Sequence, residues 1–373
     1  MKITYLSNTS VPSNVASSIQ IMKMCEAFSS LGNNVSLITT NTSKIKSNLF
    51  EFYNIKNKFN IFKIKYFKKF PLGLKYYLFS FVSILEGIKL NTDIYITRNY
   101  FTCFILTLLK KKVIMELHHD LNEESRIVRF IFKVTRYLNS KNVILIVAIT
   151  NALKVHYSNK YKIKKEKILV LASGSSLEKN FNFSFNKKYF KIGYFGSIYK
   201  SRGYEMIINL AKIDRKNRYY LYGNLKNINN ANYKNKTRNL YFQNHIAYKD
   251  IPKNLSKMDL LILPYVSAIT VAGDVGDITK YTSPLKLFDY LTAGKVILCS
   301  DYKVLKEAIN QNNAIFVKNF KNIYSWRNEI IKLSNQPQRR FIISRNNYNL
   351  SRSFTLKERA KKILKEININ RCI

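Results

Sequence analysis

The sequence predicts an α/β protein built from two successive parallel-sheet domains. Three observations carry this. Short segments rich in Val, Ile, Leu and Tyr alternate with longer ones whose apolar residues recur at helical spacing. The alternation starts at the first residues, lapses over residues 178–190, and then begins again. At 373 residues the chain exceeds the usual size of a single core.

The elements follow in order. "KITYLS" (2–7) and "VSLITT" (35–40) read as strands. Between them "ASSIQIMKMCEAFSSLG" places Ile19, Ile21, Met22, Met24, Cys25 and Phe28 at helical spacing, and Gly32 ends the helix. This is a βαβ unit. "DIYITR" (93–98), "KVIMELH" (112–118), "VILIVAIT" (143–150) and "KILVLAS" (167–173) continue the sheet. "EKNFNFSFNKKYF" (178–190) is polar and aromatic without a period and reads as a linker. The second half repeats the scheme: "FKIGYFGS" strand and turn, "GYEMIINLAKI" helix, "RYYLYGN" strand, "IPKNLSKM" helix, "DLLILPY" strand, "SPLKLFDYLTAG" helix and "KVILCS" strand.

Composition narrows the class. Hydrophobic content of 46%, with six Pro and eleven Gly, excludes a disordered chain or a fibrous repeat. Cys25, Cys103, Cys299 and Cys372 are scattered without CxxC spacing, which implies a reducing compartment and no structural zinc. The N-terminus lacks the apolar core of a signal peptide, and the longest apolar runs are too short to span a bilayer. The charge is extreme: 63 Lys plus Arg against 22 Asp plus Glu, a net +41. Such a surface is drawn to polyanions, either nucleic acid or an anionic membrane face.

In open parallel sheets ligands bind at the carboxyl ends of the strands, so the loops after strands carry the chemistry. "YFGSIYKSRG" (194–203) offers Gly196 for close backbone approach and Arg202 with Gly203 at a helix start, a phosphate site of amides and guanidinium. "LYGN" ends its strand at Gly223. In "SPLKLFDYLTAGK", Ser283 suits the N-cap, Pro284 the first helical position and Gly294 the stop. Lys286 then lies in the first turn, where the helix dipole is already positive, and an anion bound there would account for it. Lys286, Asp289, Tyr290 and Ala293 share one helical face, with Leu285, Phe288 and Thr292 on another. Two readings compete: an exposed Lys286–Asp289 pair, or Lys286 on a diphosphate with Asp289 accepting two ribose hydroxyls.

These segments resemble, nearly end to end, a family 4 glycosyltransferase of the GT-B fold, of the kind that builds bacterial surface polysaccharides. "SPLKLFDYLTAGKVILCSDYKVLKE" is similar to the family's donor helix, "GYFGSIYKSRG" to its phosphate turn, and "NHIAYKDIPKNLSKMDLLILPY" to its strand, helix and strand ending in Pro. "VLASGSSLEK" resembles its hinge-side turn and "SFTLKERAKKIL" its C-terminal helix. The resemblance implies two Rossmann-like domains facing a central cleft. An acceptor-binding domain would span 1–178, a nucleotide-sugar-binding domain 179–352, and a helix over 353–373 would return toward the first domain.

Carried over position by position, the resemblance makes Gly196, Ser197, Arg202, Gly223, Ser283, Pro284, Leu285, Lys286 and Asp289 donor-binding. Of the family's E-x7-E pair, the second acid is Asp289 and the first falls on Tyr281, with Asp274 and Asp277 as substitutes. One phosphate cation is replaced by Ser197, for which Lys286 compensates. In the first half Ala16, Ser17 and Ser18 stand where the family has a glycine-rich phosphate loop. His118 of "MELHHD" matches the family's histidine near the reacting sugar, with His119 as fallback.

The implied reaction is transfer of a sugar from a nucleotide diphosphate to a glycan or lipid-linked glycan acceptor, with retention. It needs no cofactor and no metal, since no Asp-x-Asp clamp is visible. The basic aromatic stretches 57–79 and 126–141 suit an anionic leaflet, giving a cytoplasmic enzyme peripheral to the inner membrane face. The competing readings are a basic nucleic-acid-binding protein and a GT-B sugar-nucleotide epimerase.

Overall fold

The computed structural model describes residues 1–41, 48–65, 71–179, 181–185, 188–225, 228, 237–266, 268–269 and 277–369. The chain divides into two compact units, one of Met1–Ala172 with Leu356–Ile373 and one of Ser173–Thr355.

The first unit is a seven-stranded, all-parallel sheet: β1 (Lys2–Ser10), β2 (Asn34–Asn41), β3 (Asn60–Lys65), β4 (Ile94–Thr97), β5 (Val113–Leu117), β6 (Val143–Ala148) and β7 (Ile168–Val170), in the order β3-β2-β1-β4-β5-β6-β7. Strands β4 and β5 are buried along their whole length, as expected of a sheet covered on both faces. The order reverses at β1, with β2 on one side and β4 on the other. That reversal marks the ligand end of such a sheet.

The stretch 57–79 corrects the sequence reading. Residues Asn60–Lys65 are not a surface-lying basic segment but the edge strand β3, paired in register with β2. The exposed Lys63 on this edge strand discourages further pairing. Helix Leu72–Lys89 takes up the rest of that stretch. Residues 66–70 lie outside the described residues.

The C-terminal helix Leu356–Ile369 belongs to the first unit. Its Leu356, Ala360, Ile363 and Ile367 join the core built around helix Ala16–Ser29 and the sheet. These positions recur every three to four residues, so one face is apolar and the other carries the lysines.

The second unit is a six-stranded parallel sheet: β8 (Lys191–Phe195), β9 (Arg218–Tyr222), β10 (Leu240–Gln243), β11 (Leu260–Leu263), β12 (Val296–Ser300) and β13 (Ala314–Val317), ordered β10-β9-β8-β11-β12-β13. Strand β10 precedes "NHIAY", so that segment is a loop and not the strand the sequence suggested. The stretch 178–190 is not a linker. Phe181 packs on Tyr348 and Phe341, Phe183 and Phe185 pack on Phe341, and Phe190 enters the core. Its aromatic residues lack a period because Phe181, Phe183 and Phe185 pack singly on the helix Pro337–Leu350, Tyr189 lies against Arg218 and Phe190 enters the core, rather than lining one face of an element.

Cys25, Cys103 and Cys299 are buried free thiols, and Cys372 lies outside the described residues. Among the described residues no helix is long and apolar enough to cross a membrane. Ile363 is 1% exposed at the centre of the terminal helix contact. Ile363→Ala is expected to lower the stability of the first unit by about 2–5 kcal/mol, read as a lower urea midpoint for that unit's transition.

Candidate functional site

In the second unit the carboxyl ends of β8, β9 and β11 meet the start of helix Leu285–Thr292. Strand β8 ends in Gly196, at φ 149°, whose N–H bonds to the Tyr222 carbonyl on β9. A Cβ here would sit 2.9 Å from Nζ of Lys286, and one on Gly223 would sit 2.4 Å from the Gly196 carbonyl oxygen. Gly223 is therefore required by close approach of backbone, and Gly196 is favoured by its positive φ, with the tip of Lys286 packed where a Cβ would lie. Gly203, at φ 73°, brings the turn holding Arg202 against the end of β11, where a Cβ would lie 1.7 Å from the Pro264 carbonyl oxygen.

Lys286 and Arg202 converge. The Lys286 Nζ and the Arg202 Cζ each lie 5.6 Å from the centre of the Tyr265 ring. Lys286 donates to the Tyr194 hydroxyl at 2.9 Å and stands 4.3 Å above the ring of the same residue. No carboxylate pairs with it among the described residues. Enclosure by protein, then the nearby Arg202 guanidinium, hold its ammonium well below the usual lysine range.

The helix beneath it differs from expectation at its start. It begins at Leu285 with Pro284 at the N-cap, and no side chain caps it. Ser283 instead accepts a hydrogen bond from the Ser173 N–H at 2.9 Å. With the cap unused, the positive end of the helix is not screened by a side-chain oxygen. Gly294, at φ 58°, ends the helix as expected.

Asp289 does not pair with Lys286. Its Oδ1 accepts from Ser175 Oγ at 2.6 Å. Burial pushes its carboxyl up to about 7, opposed by that hydrogen bond. Tyr290, assigned by spacing to the same face, turns inward and its hydroxyl accepts from the Phe195 N–H at 2.9 Å. Ser197 points its side chain outward while its carbonyl accepts from Tyr194. Tyr281 is half-buried. Asp277 is exposed, its carboxylate accepting from the Thr279 N–H in a turn. Asp274 lies outside the described residues.

In the first unit helix Ala16–Ser29 starts without a side-chain cap. Ala16 is exposed and Ser17 half-buried, but Ser18 faces inward, with its hydroxyl on that of Tyr53 and its N–H on the Val15 carbonyl. His118 follows β5 at the sheet's carboxyl end, with Nε2 3.8 Å from the buried Glu116 carboxylate. Burial and the Arg98 charge lower its pKa to about 4, so the ring is neutral at pH 7. His119 is a structural residue: its ring meets Glu124 at 2.8 Å and its carbonyl accepts from Tyr100 and Tyr157.

Sequence reasoning missed Tyr194, Tyr265 and Ser175. The first two flank the recognised motifs, in "GYFGS" and "ILPYV", but aromatic residues there read as core. Ser175 lies in a quoted turn, and only the fold brings it to Asp289.

Two parallel α/β units, with the C-terminal helix packed into the first, make up the GT-B fold. Residues 175–350, within the second unit, match the family described as Glycosyl transferases group 1. No match was found among curated protein sequences. Solved structures share the fold at low identity. Anabaena HepE in complex with UDP and glucose is 14% identical, with a TM-score of 0.71 over 99% of each chain. WaaG, a glycosyltransferase of lipopolysaccharide biosynthesis, is 12% identical, with a TM-score of 0.63 over 97% of this chain and 99% of its own. A Listeria monocytogenes protein described as a putative UDP-N-acetylglucosamine 2-epimerase is 12% identical, with a TM-score of 0.61 over 97% of this chain and 94% of its own.

The raised pKa of Asp289 fixes a pH dependence. A carboxyl with a folded pKa above its unfolded value stabilises the fold while protonated. The contribution is complete below about pH 4 and lost as pH rises through the folded value, about 7 here. Asp289→Asn is expected to flatten stability over that window, as denaturant midpoints measured across it would register.

Proposed function

We propose that the second unit holds a nucleoside-diphosphate sugar and that the first unit presents an acceptor hydroxyl to it, the acceptor being a lipid-linked glycan of surface-polysaccharide synthesis. One observation carries this reading: Lys286 and Arg202 converge beside Gly196 at an uncapped helix start, with no acid on the lysine among the described residues. An anion is what such a site lacks. In the transition state the leaving diphosphate gains negative charge, so these cations stabilise it more than the ground state. A diphosphate would also favour the charged form of Lys286, which burial and Arg202 disfavour. Asp289, three residues after Lys286 on the same helix, accepts ribose hydroxyls once ionised. The donor's own phosphate assists acceptor deprotonation on the retaining face, and His118, neutral at pH 7, is the candidate catalytic residue of the first unit.

A membrane-presented acceptor is supported by the surface of the first unit. In helix Arg126–Thr135, Val128 and Phe132 are buried, while Ile127, Phe130 and Val134 form a second apolar stripe that faces out, Phe130 67% and Val134 66% exposed. Arg126, Arg129 and Lys133 run beside that stripe at the same spacing. Helix Leu72–Lys89, joined to it through Tyr77 and Ser125 at 2.7 Å, adds exposed Leu74, Phe81, Leu85 and Ile88. Apolar residues beside cations are what an anionic leaflet binds. WaaG, whose described role lies in lipopolysaccharide biosynthesis, is consistent with such an acceptor.

Two measurements test this. In a thermal-shift panel of UDP-, GDP- and dTDP-sugars, one donor class is expected to raise the melting temperature of the wild type and Asp289→Ala to lose most of the rise. A mutant that responds as strongly removes Asp289 from the donor site. Product analysis without acceptor separates an epimerase, and steep salt-dependent nucleic-acid binding without any donor response favours the nucleic-acid reading. On vesicles containing anionic lipid, Phe130→Ser with Val134→Ser is expected to cut co-sedimentation at least several-fold while leaving donor binding unchanged. Equal sedimentation of mutant and wild type would remove the membrane surface.

A further inference from the structure

A second unbalanced cationic cluster lies wholly within the first unit. Glu116, on β5 and 1% exposed, receives the Tyr5 hydroxyl at 2.6 Å and Arg98 Nε at 2.9 Å on one oxygen. Its other oxygen receives Arg359 Nη2 at 3.0 Å from the C-terminal helix. Two guanidinium groups thus share one carboxylate. The remaining titratable neighbours add no negative charge: burial holds Tyr5 and Cys25 protonated, and His118 is neutral. The cluster carries one net positive charge in a site where water is scarce, which is costly unless an anion completes it.

Among the described residues, Arg98 Nη2 and Asn99 Nδ2 are buried without a hydrogen-bond partner, and His118 Nε2 makes no hydrogen bond, its nearest acceptor being the Glu116 carboxylate at 3.8 Å. Arg98 uses only Nε on Glu116, so the rest of its planar fork is left for a second oxyanion. Arg98 and Asn99 directly follow β4 and His118 directly follows β5, at the carboxyl ends where such sheets bind ligands. Arg98 and His118 are 18% and 23% exposed, so the cluster opens to solvent on that side. A neutral sugar hydroxyl would satisfy the hydrogen bonds but not the charge.

We infer that Arg98, with Asn99 and His118, forms an oxyanion subsite in the first unit that takes a phosphate or carboxylate group. Its assignment to an acidic group on the acceptor rests on the reading that this unit binds the acceptor; the anion site itself does not. Glu116 and Arg359 are positioning residues: the carboxylate fixes the Arg98 fork, and Arg359 balances the carboxylate from the far side.

His118 is the reporter, since the chain has only four histidines and their ring signals can be resolved by NMR. Inorganic phosphate is expected to shift the His118 signals saturably and to raise its pKa, now about 4, by about one pH unit or more. Glucuronate, run in parallel, separates a carboxylate preference from a phosphate one. Arg98→Gln is expected to weaken the response at least tenfold, and Arg98→Lys to restore part of it. The same titration on Lys286→Ala protein removes phosphate bound at Lys286 and Arg202 from the reading: an unchanged His118 response there assigns the shift to the first unit, and a lost response would overturn the subsite. Wild-type His118 signals that ignore both anions, or a folded Arg98→Gln protein that responds like wild type, would overturn the subsite. Should the anion bind while no acceptor is ever glycosylated, the subsite stands and the acceptor assignment falls.

Discussion

A lysine enclosed in protein, with no carboxylate on it among the described residues, is the constraint on which the second unit depends. Lys286 is held by the Tyr194 hydroxyl and two aromatic rings. Those contacts place an ammonium but do not neutralise it. The rest of the site follows from admitting that side chain. Gly196 leaves room for the tip of Lys286, Gly223 must let the turn approach, and Gly203 must bring the Arg202 turn onto β11. An acid partner for Lys286 would stabilise the empty protein and occupy the place of the diphosphate. Leaving the cation unpaired trades stability for a site preorganised to receive charge.

The same arrangement appears in the first unit by different means. There the cations do have a carboxylate, but one carboxylate serves two guanidinium groups. Glu116 also ties the C-terminal helix into the sheet, since Arg359 reaches it while capping the Leu171 and Ala172 carbonyls at the end of β7. Removing one partner of so buried a pair costs about 3–5 kcal/mol, because the other charge is left uncompensated. Apolar packing of the terminal helix supplies adhesion, and this ion pair fixes its register.

Much of the fold was legible because its signals are local. Strands β1, β2, β4 to β9, β11 and β12 announce themselves as apolar runs, and Gly32 and Gly294 stop their helices at positive φ. Strand β3 was hidden because its edge position leaves lysines among its apolar residues, so it reads as a basic surface stretch. The aromatic stretch 178–190 was misread because Phe181, Phe183 and Phe185 pack singly on a helix far along the chain. Asp289, Lys286, Arg202 and the glycines were found by motif. Their supporting phenols and Ser175 were not, since a tyrosine bonded across ninety residues has no local spacing to betray it.

The sequence by itself determined two parallel-sheet units, a donor-type helix and the cations at its start, because periodicity and loop chemistry are written in neighbouring residues. Only the tertiary structure decided which of those charges have partners. It sent Asp289 to Ser175 rather than to Lys286, turned Tyr290 and Ser18 inward, and drew Arg98 and Arg359 onto one glutamate. Charge balance depends on distances between segments remote in the chain, and those are fixed by packing rather than by spacing.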